Sequence, residues 1–141
     1  MKKIASFEID HDVLERGFYL SRVDRDVFTY DLRFKKPNGG DYLDNKAMHS
    51  IEHMMATVAR NSDFSDKVVY FGPMGCRTGF YLIVAGDYDS EDILPLMREM
   101  FEFIRNYEGE VPGAAPECCG NYLDLNLPMA RYLADKYLDQ V

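Results

Sequence analysis

Along "VFTYDLRF", residues 27–34, apolar and polar side chains alternate. Phe28, Tyr30, Leu32 and Phe34 fall on one face and Thr29, Asp31 and Arg33 on the other, the period of a half-buried strand. The turn material "KKPNGGD" closes it. "KVVYF" (67–71) and "GFYLIVAG" (79–86) read as buried strands joined by "GPMGCRT". Helical periodicity predicts one helix from about Asn45 to Arg60, capped by Asp44. A second runs from Ser90, followed by Glu91 and Asp92, to about Tyr107; its apolar stripe is Ile93, Met97, Met100, Phe101 and Ile104. Pro95, near the end of its first full turn, is placed to bend it. Pro112, Gly113 and Pro116 mark a loop, and a last helix covers about Pro128 to Leu138 with Leu133, Ala134, Tyr137 and Leu138 inward. Strands and helices mix without a strict βαβ rhythm, and no repeat, low-complexity tract or linker divides the chain. The expected class is α+β: a single compact domain over residues 1–141, with a mixed or antiparallel sheet packed against helices.

Composition narrows the function classes. With 47% apolar and 28% charged residues the chain is not a disordered one. No apolar run approaches the roughly 20 residues that span a bilayer. The first residues, "MKKIASFEIDH", reach Glu8 and Asp10 before an apolar signal region could form, so an export signal is not expected. A net charge of −8, with no offsetting Lys/Arg cluster, repels phosphate backbones. Nucleic acid and membrane are therefore not expected partners. Cys76, Cys118 and Cys119 make an odd count, which suits reduced thiols and a cytoplasmic location. In that setting a cysteine is a metal ligand or a reactive group.

The stretch "HSIEHMMATVAR" (49–60) carries the most chemistry. At roughly 100° per residue, Glu52 falls near −60° and His53 near +40° from His49, with small Ala56 close by. An i, i+4 histidine pair on one helix face can aim two imidazole nitrogens at one cation, and His-x-x-Glu-His is also the inverzincin pattern, with glutamate as general base. A catalytic metal site keeps three protein ligands and one open position. "ECCGNYLD" (117–124) supplies a third ligand in Cys119, immediately before Gly120, with Cys118 a competitor. Thiolate plus two imidazoles suits zinc or ferrous iron. Cys76 stands in "GPMGCRTGFY" between Gly75 and Gly79 and beside Arg77. Flanking glycine admits a close approach, and a neighbouring cation favours a reactive thiolate; a buried structural cysteine is the other reading.

Three function classes fit these features. An inverzincin-like metallohydrolase needs an acidic third ligand and leaves Cys76 and Cys119 without roles. A non-enzymatic metal-binding module needs a fourth ligand, for which Cys118 would serve. The third class rests on a resemblance. "SFEIDH" (6–11), "YDLRFKKPN" (30–38), "MHSIEHMMATVARN" (48–61), "GPMGCRTGFYL" (72–82) and "CGNYLDLNLPMARYLADKYL" (119–138) follow one another as in the S-ribosylhomocysteine lyase family, the LuxS proteins of autoinducer-2 synthesis, which the chain resembles over nearly its whole length.

That resemblance implies one divalent ion per subunit, Fe(2+) with Zn(2+) or Co(2+) able to substitute, on His49, His53 and Cys119, and no organic cofactor. The glycine after the doublet favours Cys119 over Cys118. It implies acid/base roles for Glu52 and Cys76, and cleavage of S-ribosyl-L-homocysteine to L-homocysteine and 4,5-dihydroxy-2,3-pentanedione by carbonyl migration and β-elimination. It further implies a homodimer with active sites at the interface, the second subunit offering Ser6, His11 and Arg33 to ribose hydroxyls, with Arg60 near the amino-acid end. The strand pattern agrees in putting Arg33 opposite the aromatic row, free to reach a polar site. One position departs: many members carry an acidic residue where this chain has Tyr70, which leaves the holding of the substrate ammonium open.

Overall fold

The computed structural model describes residues 1–141. In chain order its elements are α1 (Ala5–Glu8), β1 (Gly17–Asp24), β2 (Val27–Arg33), α2 (Asn45–Arg60), β3 (Val68–Pro73), β4 (Gly79–Ala85), α3 (Ser90–Asn106) and α4 (Leu127–Leu138). The four strands form one sheet in the order β1-β2-β4-β3, and every pairing is antiparallel. The aromatic row of β2 faces the helices. Tyr30 and Leu32, with Phe80, Leu82 and Val84 of β4, join Ile51, Met54 and Met55 of α2 and the Ile93–Ile104 stripe of α3 in one core of 27 buried residues. Phe34 extends that row, stacked on Tyr137 of α4 at 4.1 Å and edge-on to Phe80 at 5.3 Å. Burial of these large side chains supplies the main stabilisation and fixes the register, because a one-residue slip of β2 would turn its aromatics to the other face.

The helix starts follow capping chemistry. Asp44 accepts the Ala47 N–H, and Asn126 accepts that of Met129. At α3 the cap is Asp89, one residue before Ser90, because Asp89 and Asp92 exchange side-chain bonds with each other's backbone N–H. The helix runs unbroken through Pro95. The missing N–H removes one rung, opposite the carbonyl of exposed Glu91, where water can replace it. Two elements have no counterpart in the sequence pattern, α1 and the edge strand β1. Within β1 only Gly17 is fully buried and the register shifts between Leu20 and Arg22, so no clean alternation marks it.

The opposite face of the sheet positions the chemistry. There Thr29 pairs with Ile83, Asp31 with Tyr81 and Arg33 with Gly79, while Tyr81 also pairs with Gly72 of β3. Gly79 is required: a Cβ at this point would collide with the Leu32 carbonyl oxygen, so only glycine lets β2 and β4 close beside Arg33. The segment containing α1 lies over this face. No helix is long and apolar enough to cross a membrane.

Candidate active site

The buried side of α2 is Ala47, Met48, Ile51, Met54, Met55 and Ala59, which leaves His49, Glu52 and His53 half-buried on its other side. Each imidazole is held from behind. His49 Nδ1 lies 2.8 Å from the Asp124 carbonyl oxygen and His53 Nδ1 lies 2.7 Å from that of Pro112. A carbonyl can only accept, so each Nδ1 carries a proton, and in the neutral ring that metal binding requires it is Nε2 that holds the free lone pair. The rings meet edge to face with centroids 4.6 Å apart. Cys119 Sγ lies 3.3 Å from His49 Nε2, and ligand atoms of His49, His53 and Cys119 all fall within 4.8 Å of one another.

The loop that delivers Cys119 is pinned to two consecutive residues of α2. His49 takes the Asp124 carbonyl, and the buried Ser50 hydroxyl accepts the Asn126 N–H at 2.8 Å while donating to the Lys46 carbonyl. The Cys118 and Cys119 N–H groups both donate to the Ala115 carbonyl at 3.0 Å. Cys118 is exposed and is not among the converging ligand atoms. Two neutral imidazoles and one thiol sulfur fit a borderline divalent ion, and three donors leave a coordination position open, as catalysis requires.

A second group of side chains gathers on the sheet face opposite the core. Cys76 is exposed in the β3–β4 turn, with Sγ 3.0 Å from Thr78 Oγ1. Thr78 accepts from Arg33 Nη1 at 2.7 Å, and Arg33 Nη2 donates to Asp31 at 2.8 Å. Arg33 and Asp31 are 2% and 3% exposed, yet Arg33 Nε and Asp31 Oδ1 have no partner. Ser6, His11 and Arg33 line one cavity of about 270 Å³ together with Asp31 and Tyr81. His11 donates through Nδ1 to the Ile9 carbonyl, which leaves its Nε2 free. The Tyr81 phenol is pushed up from its ordinary value, first by burial and then by Asp31, with Arg33 opposing and Cys76 adding; it stays an O–H donor.

The sequence-derived candidates thus fall into two clusters and two outliers. His49, His53 and Cys119 converge, with Glu52 on the same helix face. Ser6, His11 and Arg33 share a cavity whose wall leads through Thr78 to Cys76. Arg33 is on the expected face, but it is buried and held at two nitrogens, because Asp31 and Thr78 claim it. Arg60 donates to the Val68 and Val69 carbonyls at 2.8 and 3.1 Å, so two of its nitrogens brace β3. Tyr70 is exposed on β3 with its ring over Gly72. Asp31, Thr78 and Tyr81 were not singled out from the sequence. For Asp31 and Tyr81 the period-two pattern held the signal, since both fall on the polar face beside Arg33.

Fold and site define a single-domain α+β protein with an open two-histidine, one-cysteine centre that could hold a divalent metal ion. Comparison with known proteins is specific. The family model described as S-ribosylhomocysteinase (LuxS) matches residues 4–141. Proteins named S-ribosylhomocysteine lyase from Clostridium beijerinckii and Porphyromonas gingivalis are each 53% identical over 146 residues, covering 100% of this chain and 92% of theirs. That of Clostridium acetobutylicum is 54% identical over 142 residues, covering 97% of this chain and 90% of its own. The chain belongs to the LuxS family.

Proposed function

We propose that this chain is a metal-dependent carbon–sulfur lyase that splits S-ribosyl-L-homocysteine into L-homocysteine and 4,5-dihydroxy-2,3-pentanedione. The observation that carries the reading is the pair of imidazoles whose Nδ1–H groups are spent on backbone carbonyls, beside Cys119 Sγ. That arrangement suits His49, His53 and Cys119 to hold one ferrous ion, with zinc or cobalt(II) as substitutes. When bound, the ion supplies Lewis-acid stabilisation of the charge that develops beside a sugar carbonyl.

The rest of the work falls to side chains. The substrate's thioether is at C5, too far from the C1 aldehyde for elimination, so the carbonyl must first move to C3. Each shift takes a proton from carbon and returns one to the neighbouring carbon, a two-way task suited to Cys76 and Glu52. Removal of the C4 proton then forms the C4–C5 double bond and expels the homocysteine sulfur with its electron pair. Ser6, His11 Nε2 and Arg33 offer polar groups to the ribose hydroxyls from the wall of one cavity. Arg60 and Tyr70 lie toward the amino-acid end in this reading. The chain acts as a homodimer of single-domain subunits in the cytoplasm, each site drawing the cavity residues from its partner.

The test is thiol release from S-ribosylhomocysteine by anaerobically purified, iron-loaded protein. Wild type should release homocysteine, and Cys76→Ala should keep its metal while losing about 10²–10⁴-fold in rate. No release by a fully metallated protein would overturn the activity. Normal turnover by Cys76→Ala would remove Cys76 from it, and sedimentation of the active form as a monomer would remove the dimer.

A further inference from the structure

The contact between Cys76 and Thr78 has a direction, and a buried charge fixes it. At 3.0 Å between Sγ and Oγ1, either atom could donate. Arg33 decides which one does. A guanidinium has donors and no acceptor, so its Nη1, 2.7 Å from Thr78 Oγ1, must occupy a lone pair of the hydroxyl. The guanidinium cannot turn away, because Asp31 holds Nη2 at 2.8 Å and both side chains are buried. Thr78 has one hydroxyl proton left to place. Its possible acceptors are Cys76 Sγ at 3.0 Å and Met74 Sδ at 4.0 Å, the second at the limit of any bond to sulfur.

We propose that Thr78 is a positioning residue for Cys76: its hydroxyl, polarised by the Asp31–Arg33 pair, donates to the cysteine sulfur, aims it and stabilises negative charge on it. The proposal rests on the reading of Cys76 as a proton-transfer group. A donor that is itself hydrogen-bonded to a cation is a stronger donor, so part of the Arg33 charge reaches the sulfur through Thr78. The other ionisable groups around Cys76 are Asp31 on β2, Tyr81 on β4, which stays protonated, and Arg77 in the same turn, whose guanidinium lies 5.7 Å from the centre of the Tyr42 ring. The side chain of Thr78 is 2% exposed while Cys76 is exposed, so the hydroxyl acts from the protein side and leaves the outer side of the sulfur to substrate.

The experiment compares Cys76 alkylation by iodoacetamide, read at its own peptide by mass spectrometry, in metal-loaded wild type, Thr78→Val and Thr78→Ser across neutral to strongly alkaline pH. Thr78→Ala stands in for Thr78→Val if the valine variant does not fold. At neutral pH the hydroxyl-free variants should be alkylated about tenfold more slowly, the scale of a hydrogen bond to a charged group. They should converge with wild type at strongly alkaline pH, and Thr78→Ser should match wild type throughout. In the lyase assay kcat should fall in the hydroxyl-free variants and be restored in Thr78→Ser, which keeps the bond from Arg33. Wild-type alkylation of the hydroxyl-free variants, or a serine variant as slow as they are, would overturn the proposal. Alkylation needs no turnover, so a protein that shows this pattern but releases no thiol would refute the lyase reading and leave the role of Thr78 standing.

Discussion

Gly113→Ala separates the two demands made on the loop behind His53. Gly113 has φ +74°, and a Cβ built on it would lie 3.2 Å from His53 Nδ1 and 3.5 Å from Cε1. The backbone term is about 1–2 kcal/mol for a residue with a side chain in the left-handed region. It falls on the apo and metal-loaded protein alike and lowers Tm by several degrees. The second term acts only at the site. The new methyl group crowds the nitrogen that donates to the carbonyl of the preceding residue, Pro112, at 2.7 Å. Either the ring or the carbonyl must give, and the Nε2 lone pair loses its aim. Disturbing such an orienting bond typically costs about 10–100-fold in metal affinity. Affinity is measured by competition with a chromophoric chelator for zinc or cobalt, and stability by thermal unfolding of the apo protein. Gly113→Asn is the control: asparagine tolerates the left-handed region but still carries a Cβ, so it should recover stability and not affinity. If Gly113→Ala lowers the apo Tm and binds metal within twofold of wild type, the carbonyl–imidazole bond does not govern the site and the reasoning is wrong.

Ser50→Ala should cost about 1–3 kcal/mol in denaturant unfolding, because the Asn126 N–H loses its buried acceptor, and metal affinity should fall with it as the loop to Cys119 loosens; an unchanged stability would mean that water replaces the hydroxyl. Asp31→Ala leaves the buried Arg33 charge unpaired and should destabilise by roughly 3–5 kcal/mol, a loss that a denaturant midpoint near wild type would contradict. The Tyr30 phenol is pushed up to about 12 by burial and then by Asp89, Asp92 and Asp87, and burial likewise raises Tyr137. Raised values mean that this stability is fully present below the ordinary phenol range near 10 and is lost as pH climbs toward and past 12. The Tm gap between wild type and Tyr30→Phe should therefore narrow over that window; a constant gap would refute the assignment.

What the sequence made legible follows from how local the signal was. The face shared by His49, Glu52 and His53 needs only the helical period, and it appears as expected. Cys119 reaches that face through the grip of His49 and Ser50 on Asp124 and Asn126, contacts about 75 residues apart that no periodicity encodes. β2 was legible because one face is core and the other polar. The alternation puts Arg33 on the polar face, free to reach a polar site, but its burial there depends on the β2–β4 register and on a segment some 20 residues upstream. β1 left no pattern because an edge strand with mostly exposed residues has little need to alternate. Arg60 shows the limit of reading a charged helix end by itself: its guanidinium has found the carbonyls of β3, which only the folded chain brings within reach.

The two clusters share a physical device. A neutral imidazole has two tautomers and a hydroxyl rotates freely, so either group by itself offers an undecided proton. Here a partner of one fixed polarity removes the choice. Backbone carbonyls, which only accept, force the protons of His49 and His53 onto Nδ1; a guanidinium, which only donates, forces the Thr78 proton away from itself. The cost is borne in folding: a loop held to α2 at two points, and a buried ion pair with two polar atoms left unpartnered. In the reaction proposed above, protons move repeatedly between neighbouring carbons, and each step must begin from the same arrangement as the last. Donors and lone pairs fixed before substrate arrives need no reorganisation as charge develops, and this is the form in which a small domain can stabilise a succession of similar transition states.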